Sequence, residues 1–177
     1  LIYSKGHATA LCLKLFALSI SNCQQTKDDT LIARFSGKEL REIFQNSNGS
    51  FYSEIKNLVQ PIDSQSASIL DWRIVFSDDK TERVAGINVI PSAVFENGVL
   101  TITINSLLKE EILHLKGDYT RLSLSQMFKL KSPYSIRLYE ICKSYMDKRA
   151  ALGDPGPEYT LTYDYHELRN TIGLSSV

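Results

Sequence analysis

Residues 116–149 carry eight Lys and Arg against three Asp and Glu, while residues 1–115 carry eleven against thirteen and residues 150–177 one against four. The chain as a whole is neutral, so its charge is arranged rather than abundant. A local excess of cations suits phosphate, because neutralised phosphates release counterions and that release drives affinity. A solvated helix face would carry the same charges, and the block alone leaves both readings open. A second group, Tyr52, Ser53, Lys56, Asn57 and Gln60, falls on the outer side of a predicted helix. These side chains can bond phosphate oxygens or base edges. They are also what any solvated helix face would show.

Bond-making chemistry is not spelled out. His7, His114 and His166 are scattered, and none stands at metal-ligand spacing from a Cys or a carboxylate. No glycine-rich phosphate loop occurs, and no His-rich metal motif accompanies a tyrosine that could act as a nucleophile. Cys12, Cys23 and Cys142 are odd in number and form no C-x-x-C pair, which argues against a disulfide framework and against a zinc site. Cys12 and Cys142 read as small core residues. The expectation is a binding protein rather than an enzyme, with no metal and no cofactor, in a reducing cytoplasm. The stretch from Ala8 to Ile20 is apolar, but Lys14 interrupts it, no small-residue cleavage site follows, and it is too short to span a bilayer. It reads as a buried helix, with no membrane partner. The chain opens on Leu1 rather than Met, as a trimmed sequence would.

One helix positions the basic block. In KLKSPYSIRLYEICKSYMDKR, Lys129 to Arg149, Ser132 can cap a helix and Pro133 can take its first position, where a missing N–H costs nothing. Ser135, Leu138, Tyr139, Cys142, Tyr145 and Met146 then share one stripe, and Arg137, Glu140, Ser144 and Lys148 lie off it. This predicts a helix of roughly 17 residues with that stripe packed inward. Upstream, Leu1 to Asn22 reads as one helix, apolar over more than half its circumference and so buried on two sides. Either its own sheet roofs it, or a partner subunit covers Leu11, Leu13, Phe16 and Ile20.

Gln24 to Thr30 reads as a loop and Leu31 to Phe35 as a short strand. Ser36-Gly37-Lys38-Glu39 is a capping box opening a short helix. After the turn Asn46 to Gly49, Ser50 caps a second helix with Phe51, Ile55, Leu58 and Val59 inward, ended by Pro61. Helix, tight turn, helix is the helix-turn-helix pattern. A hairpin follows, from Asp71 to Phe76 and from Glu82 to Ile90. Another forms about Asn97-Gly98, which favours the positive φ angles of a type I′ turn. Helix-turn-helix and then an antiparallel wing is the winged-helix order. Asn105 to Leu115 reads as a short helix with Leu107, Leu108, Ile112 and Leu115 inward. Lys116-Gly117-Asp118 marks the boundary between residues 1–116 and 117–177. Thr120 to Lys131 fits a strand or a helical turn. Tyr159 to Tyr163 reads as a strand, and Tyr165 to Ile172 as a helix closed by Gly173.

The run SPYSIRLYEICKSY (132–145), with Gly117-Asp118-Tyr119-Thr120 before it and Tyr165-His166-Glu167-Leu168-Arg169 and Ile172-Gly173-Leu174 after it, resembles the plasmid replication initiator (Rep) proteins. These are iteron-binding initiators built from two winged-helix domains. The resemblance implies an α+β fold: a tandem winged helix, each copy a helix-turn-helix plus antiparallel β wing. The second copy is expected to be incomplete, stopping at Val177 before its major-groove helix. It implies a double-stranded DNA partner, bound at origin iterons by a monomer and at the protein's own operator by a homodimer, with host replication proteins as further partners. The first domain would carry the dimer contacts and touch the DNA backbone, and the second would supply most base readout. Lys131, Ser132, Tyr134 and Arg137 match the family's helix start, with Lys129 beside it, and these five are the implied phosphate contacts. Leu138, Tyr139 and Tyr145 match as core. Two other readings stay open: a module that only self-associates, favoured by the over-apolar first helix, and a chromosomal winged-helix transcription regulator.

Overall fold

A computed structural model describes residues 2–4, 9–45, 48–60, 68–78, 83–113, 122–153, 156 and 158–172. The chain divides into two compact units, Leu1–His114 and Leu115–Val177.

The first unit begins with a strand, not a helix. β1 (Ile2–Ser4) pairs antiparallel with β4 (Trp72–Asp78), which also pairs with β5 (Arg83–Asn88). The helix expected from Leu1 starts only at α1 (Ala10–Ser21), because Thr9 is extended and its hydroxyl accepts from the Cys12 N–H. Its own unit covers much of α1. Cys12, Leu13, Leu15 and Leu18 are buried, and Phe16 stacks on Trp72 with ring centroids 4.2 Å apart.

The expected loop after α1 holds a two-residue strand, β2 (Gln24–Gln25), which turns through Asp29 at φ +63° into β3 (Leu31–Ser36). With β6 (Ser92–Glu96) and β7 (Val99–Ile104), these form a four-stranded antiparallel sheet in the order β2-β3-β7-β6. Alternation sets its register. Leu31, Ala33 and Phe35 are buried on β3 and stand opposite Ile104, Ile102 and Leu100, buried on β7. Cross-strand pairs of this kind make one apolar face. Asn97 (φ +50°) and Gly98 (φ +76°) turn β6 into β7, as a type I′ turn requires.

α2 (Gly37–Ile43) opens on the expected capping box: Ser36 Oγ accepts from the Glu39 N–H at 3.1 Å, and the Ser36 N–H donates to the Glu39 carboxylate at 3.4 Å. α3 (Phe51–Val59) buries Phe51, Ile55 and Leu58. Ser50 does not cap it as expected; its backbone is already helical, and its hydroxyl bonds the Glu54 carboxylate instead. The buried hydroxyl of Ser68 donates to the Leu58 carbonyl at 3.1 Å and fastens the far end of α3. After β7, a 3₁₀ turn (Ser106–Leu108) leads into α4 (Lys109–Leu113). Leu108 is buried, but Leu107, expected inward, is 69% exposed. A 3₁₀ turn advances about 120° per residue, so two neighbours cannot share one face.

In the second unit, α5 (Leu124–Lys129) precedes α6 (Pro133–Ala151) and α7 (Tyr165–Thr171). α6 starts as expected, with Ser132 Oγ accepting from the Tyr134 N–H at 3.2 Å and Pro133 in the first turn. Its inward face is not the expected one. Ile136 is fully buried, whereas Leu138 and Met146 are 47% exposed and Tyr139 and Tyr145 are half-buried. Cys142 is exposed and is not a core residue. Apolar residues stand on several sides of α6, so their period does not select one face. Residues 158–164 form no strand; among the described residues this unit offers none to pair with. Asp164 caps α7, its carboxylate accepting from the N–H groups of His166 and Glu167 at 2.9 and 3.1 Å. Asn46, Ser47, Pro61, Leu115, the boundary residues 116–118 and Gly173 lie outside the described residues.

Candidate nucleic-acid interface

The spacing that buries Phe51, Ile55 and Leu58 leaves Ser53, Lys56 and Asn57 exposed on the opposite side of α3, with Gln60 just past its end. Lys56 has no ion-pair partner among the described residues. Tyr52 does not share that exposure. It is half-buried, with its ring on Gly37, where an added Cβ would overlap it, and beside Phe95 at 6.0 Å between centroids. Of the five residues expected on this face, Ser53, Lys56, Asn57 and Gln60 are therefore open, and Tyr52 is its packed flank.

The α5–α6 corner carries the other expected set. Leu130 and Ser132 have extended backbone angles. Residues two apart in extended chain point the same way, and Lys129 and Lys131 are both exposed while Leu130 is half-buried. Neither lysine has an ion pair among the described residues. The helix end behind them adds the positive pole of its dipole. Ser132 uses a lone pair for its cap bond but keeps its O–H as a donor. Tyr134 is 40% exposed. Arg137 differs: its Nη1 bonds the Glu140 carboxylate at 2.9 Å, which offsets much of its charge. Lys143 is likewise paired with Asp147 along the helix. Lys148 and Arg149 occupy the last turn, where cations complement the negative helix pole. Among the described residues the cations of the block thus include open ones, Lys129 and Lys131, and paired ones, Arg137 and Lys143. The three- and four-residue spacings that produce the pairs are visible in RLYE and KSYMD.

The residues expected at a dimer contact are divided. Leu13 is buried and Phe16 is stacked on Trp72, both within the first unit, while Leu11 and Ile20 are half-buried. At the far end of the β3 sheet, the Lys109 ammonium lies 2.5 Å from Asp29. Its hydrogen bond and its charge hold the Asp29 carboxyl below the usual value. Among the described residues no group of three or more His, Cys, Asp and Glu could hold a metal. His7 and His114 lie outside them.

The family described as "Initiator Replication protein, WH1" matches residues 1–143. The chain belongs to this replication initiator family. The plasmid Rep resemblance and the winged-helix class are those of the family, and the helix-turn-helix and antiparallel strands of the first unit fit the WH1 domain of its description. The match runs past residue 116, through the α5–α6 corner and into α6. Membership in an initiator family implies a DNA partner. No curated protein matches the chain. No helix among the described residues is long and apolar enough to cross a membrane.

Proposed function

We infer that this initiator binds double-stranded DNA at the repeated sites (iterons) of a plasmid origin, and at its own operator, without a bond-making step, metal or cofactor of its own. The observation that carries this reading is the uncovered outer face of α3, the second helix of the helix-turn-helix, with Ser53, Lys56 and Asn57 turned to solvent. Helices in this position meet DNA in winged-helix and related readers. Lys129 and Lys131, at the head of α6, add phosphate contacts from the second unit, where a second winged helix would begin and supply most base readout. A homodimer at the operator belongs to the same reading. Leu11 and Ile20 are its α1 candidates, since the first unit's own core takes up Leu13 and Phe16. Host replication proteins would join the complex at the origin, in the cytoplasm.

Selection from a random duplex pool tests this. The expected product is one recurring site, bound at least about a thousandfold more tightly than unrelated duplex. Recovery of no sequence, together with salt-insensitive self-association, would instead indicate an interaction module. A lone operator-like palindrome with no repeat would indicate a transcription regulator.

A further inference from the structure

The guanidinium of Arg41, on α2, lies over the ring of Tyr52, on α3, with its central carbon 4.8 Å from the ring centroid. That ring is held firmly. The Gly37 backbone lies so close that a Cβ added there would overlap the ring, and Phe95 and Phe51 flank it at 6.0 and 6.3 Å. The Gly37 N–H donates to the Gly98 carbonyl at 2.7 Å, which ties the floor of the stack to the β6–β7 turn. On this platform the Arg41 Nε is buried, with no hydrogen-bond partner among the described residues. Among the described residues no carboxylate pairs with the guanidinium. A buried charged donor without a partner is costly and calls for an explanation. The guanidinium's planar fork matches two oxygens of a phosphate or a carboxylate. Stacking on the ring also limits the freedom it must lose on binding. One helical turn from Tyr52 along α3 stands Lys56, exposed.

We propose that Arg41, stacked on Tyr52, is a phosphate clamp that fixes how α3 sits on the DNA backbone. This rests on the reading of α3 as a DNA-facing helix. An acidic polypeptide could engage the same fork. Duplex DNA suits the surroundings better, because Ser53, Lys56 and Asn57 continue the surface with a further cation and neutral donors.

The test is binding of the full chain to a random-sequence duplex across a salt series, for wild type, Arg41→Gln, Arg41→Lys and Lys56→Ala, with melting temperatures alongside. Arg41→Gln should make the slope of log K against log[salt] shallower by about 0.9, the value for one phosphate contact. Arg41→Lys should restore the slope but not the full affinity, since it keeps the charge without the fork. If Lys56→Ala changes the slope and Arg41→Gln does not, α3 still faces DNA and the clamp is overturned. If wild type binds in a salt-dependent way and neither variant moves the slope, the α3 reading fails and the clamp fails with it. Weaker binding at unchanged slope with a lowered melting temperature would make Arg41 structural, against the proposal. Loss of poly-glutamate binding at an unchanged DNA slope would assign the fork to an acidic polypeptide and also overturn it.

Discussion

The phenolic oxygen of Tyr139, on α6, accepts a hydrogen bond from the backbone N–H of Ser123 at 3.0 Å. Ser123 is the N-cap residue of α5, and its own side chain makes no cap bond. A neighbouring helix therefore satisfies the N-cap residue's own backbone N–H, which in a capping box a side chain three residues on would take, and the bond braces the two helices whose corner presents Lys129 and Lys131. Tyr139→Phe should lose about 1 kcal/mol of local stability. Amide exchange across α5 should quicken about fivefold, with α1 unchanged. Equal exchange in the two proteins would show that the bond braces nothing.

Gly37→Ala places a methyl group where the Tyr52 ring lies. The ring must shift, at a cost of about 1–3 kcal/mol from overpacking. Urea midpoints would report that loss, and the salt slope of DNA binding should fall as it does for Arg41→Gln. A variant as stable as wild type with an unchanged slope would mean the ring relaxes without consequence.

Lys131→Ala should weaken binding to all duplexes alike and reduce the salt slope by about 0.9. Arg137→Ala should change it less, because Glu140 already holds the Arg137 guanidinium. Fluorescence anisotropy on two unrelated duplexes measures both. A loss confined to one sequence would place Lys131 at a base rather than on the backbone.

The Asp29–Lys109 pair gives a pH dependence of definite sign. Lys109 lowers the folded Asp29 carboxyl from its ordinary value of 3.8, so the pair's contribution is present above that value and lost as pH falls through the folded one. Asp29→Asn should melt below wild type at pH 7, and the gap should close at acid pH. Both residues reach solvent, so added salt should narrow it too. A gap that persists at low pH would point to a role for Asp29 other than its charge.

Local chemistry accounts for what could be read without coordinates. The Ser36 capping box, the Asn97-Gly98 turn and the Ser132-Pro133 helix start each depend on residues a few positions apart, and each forms as expected. Pairing across distance was not legible. β1 is a strand only because β4 lies beside it, and Tyr159 to Tyr163 is none because the described part of its unit offers no partner. α6 failed for another reason: it carries apolar residues on several sides, so a period chose the stripe through Leu138, Cys142 and Met146 when Ile136 is the buried position. Among the candidate residues, type picked out Lys129, Lys131 and Lys56 as cations. Residue type alone does not separate Arg137 from these, although its three-residue spacing from Glu140 does, and nothing local signals that Gly37 would seat Tyr52. Arg41 was missed because its significance lies in a contact between helices, for which the sequence has no local signal.

The salt dependence of duplex binding by the full chain addresses the central claim directly. Four cations are assigned to phosphates here: Arg41, Lys56, Lys129 and Lys131. At about 0.9 for each contact, the slope of log K against log[salt] should lie near −3.6, or about −3 to −4. A flat line, or no measurable binding at low salt, would contradict the account.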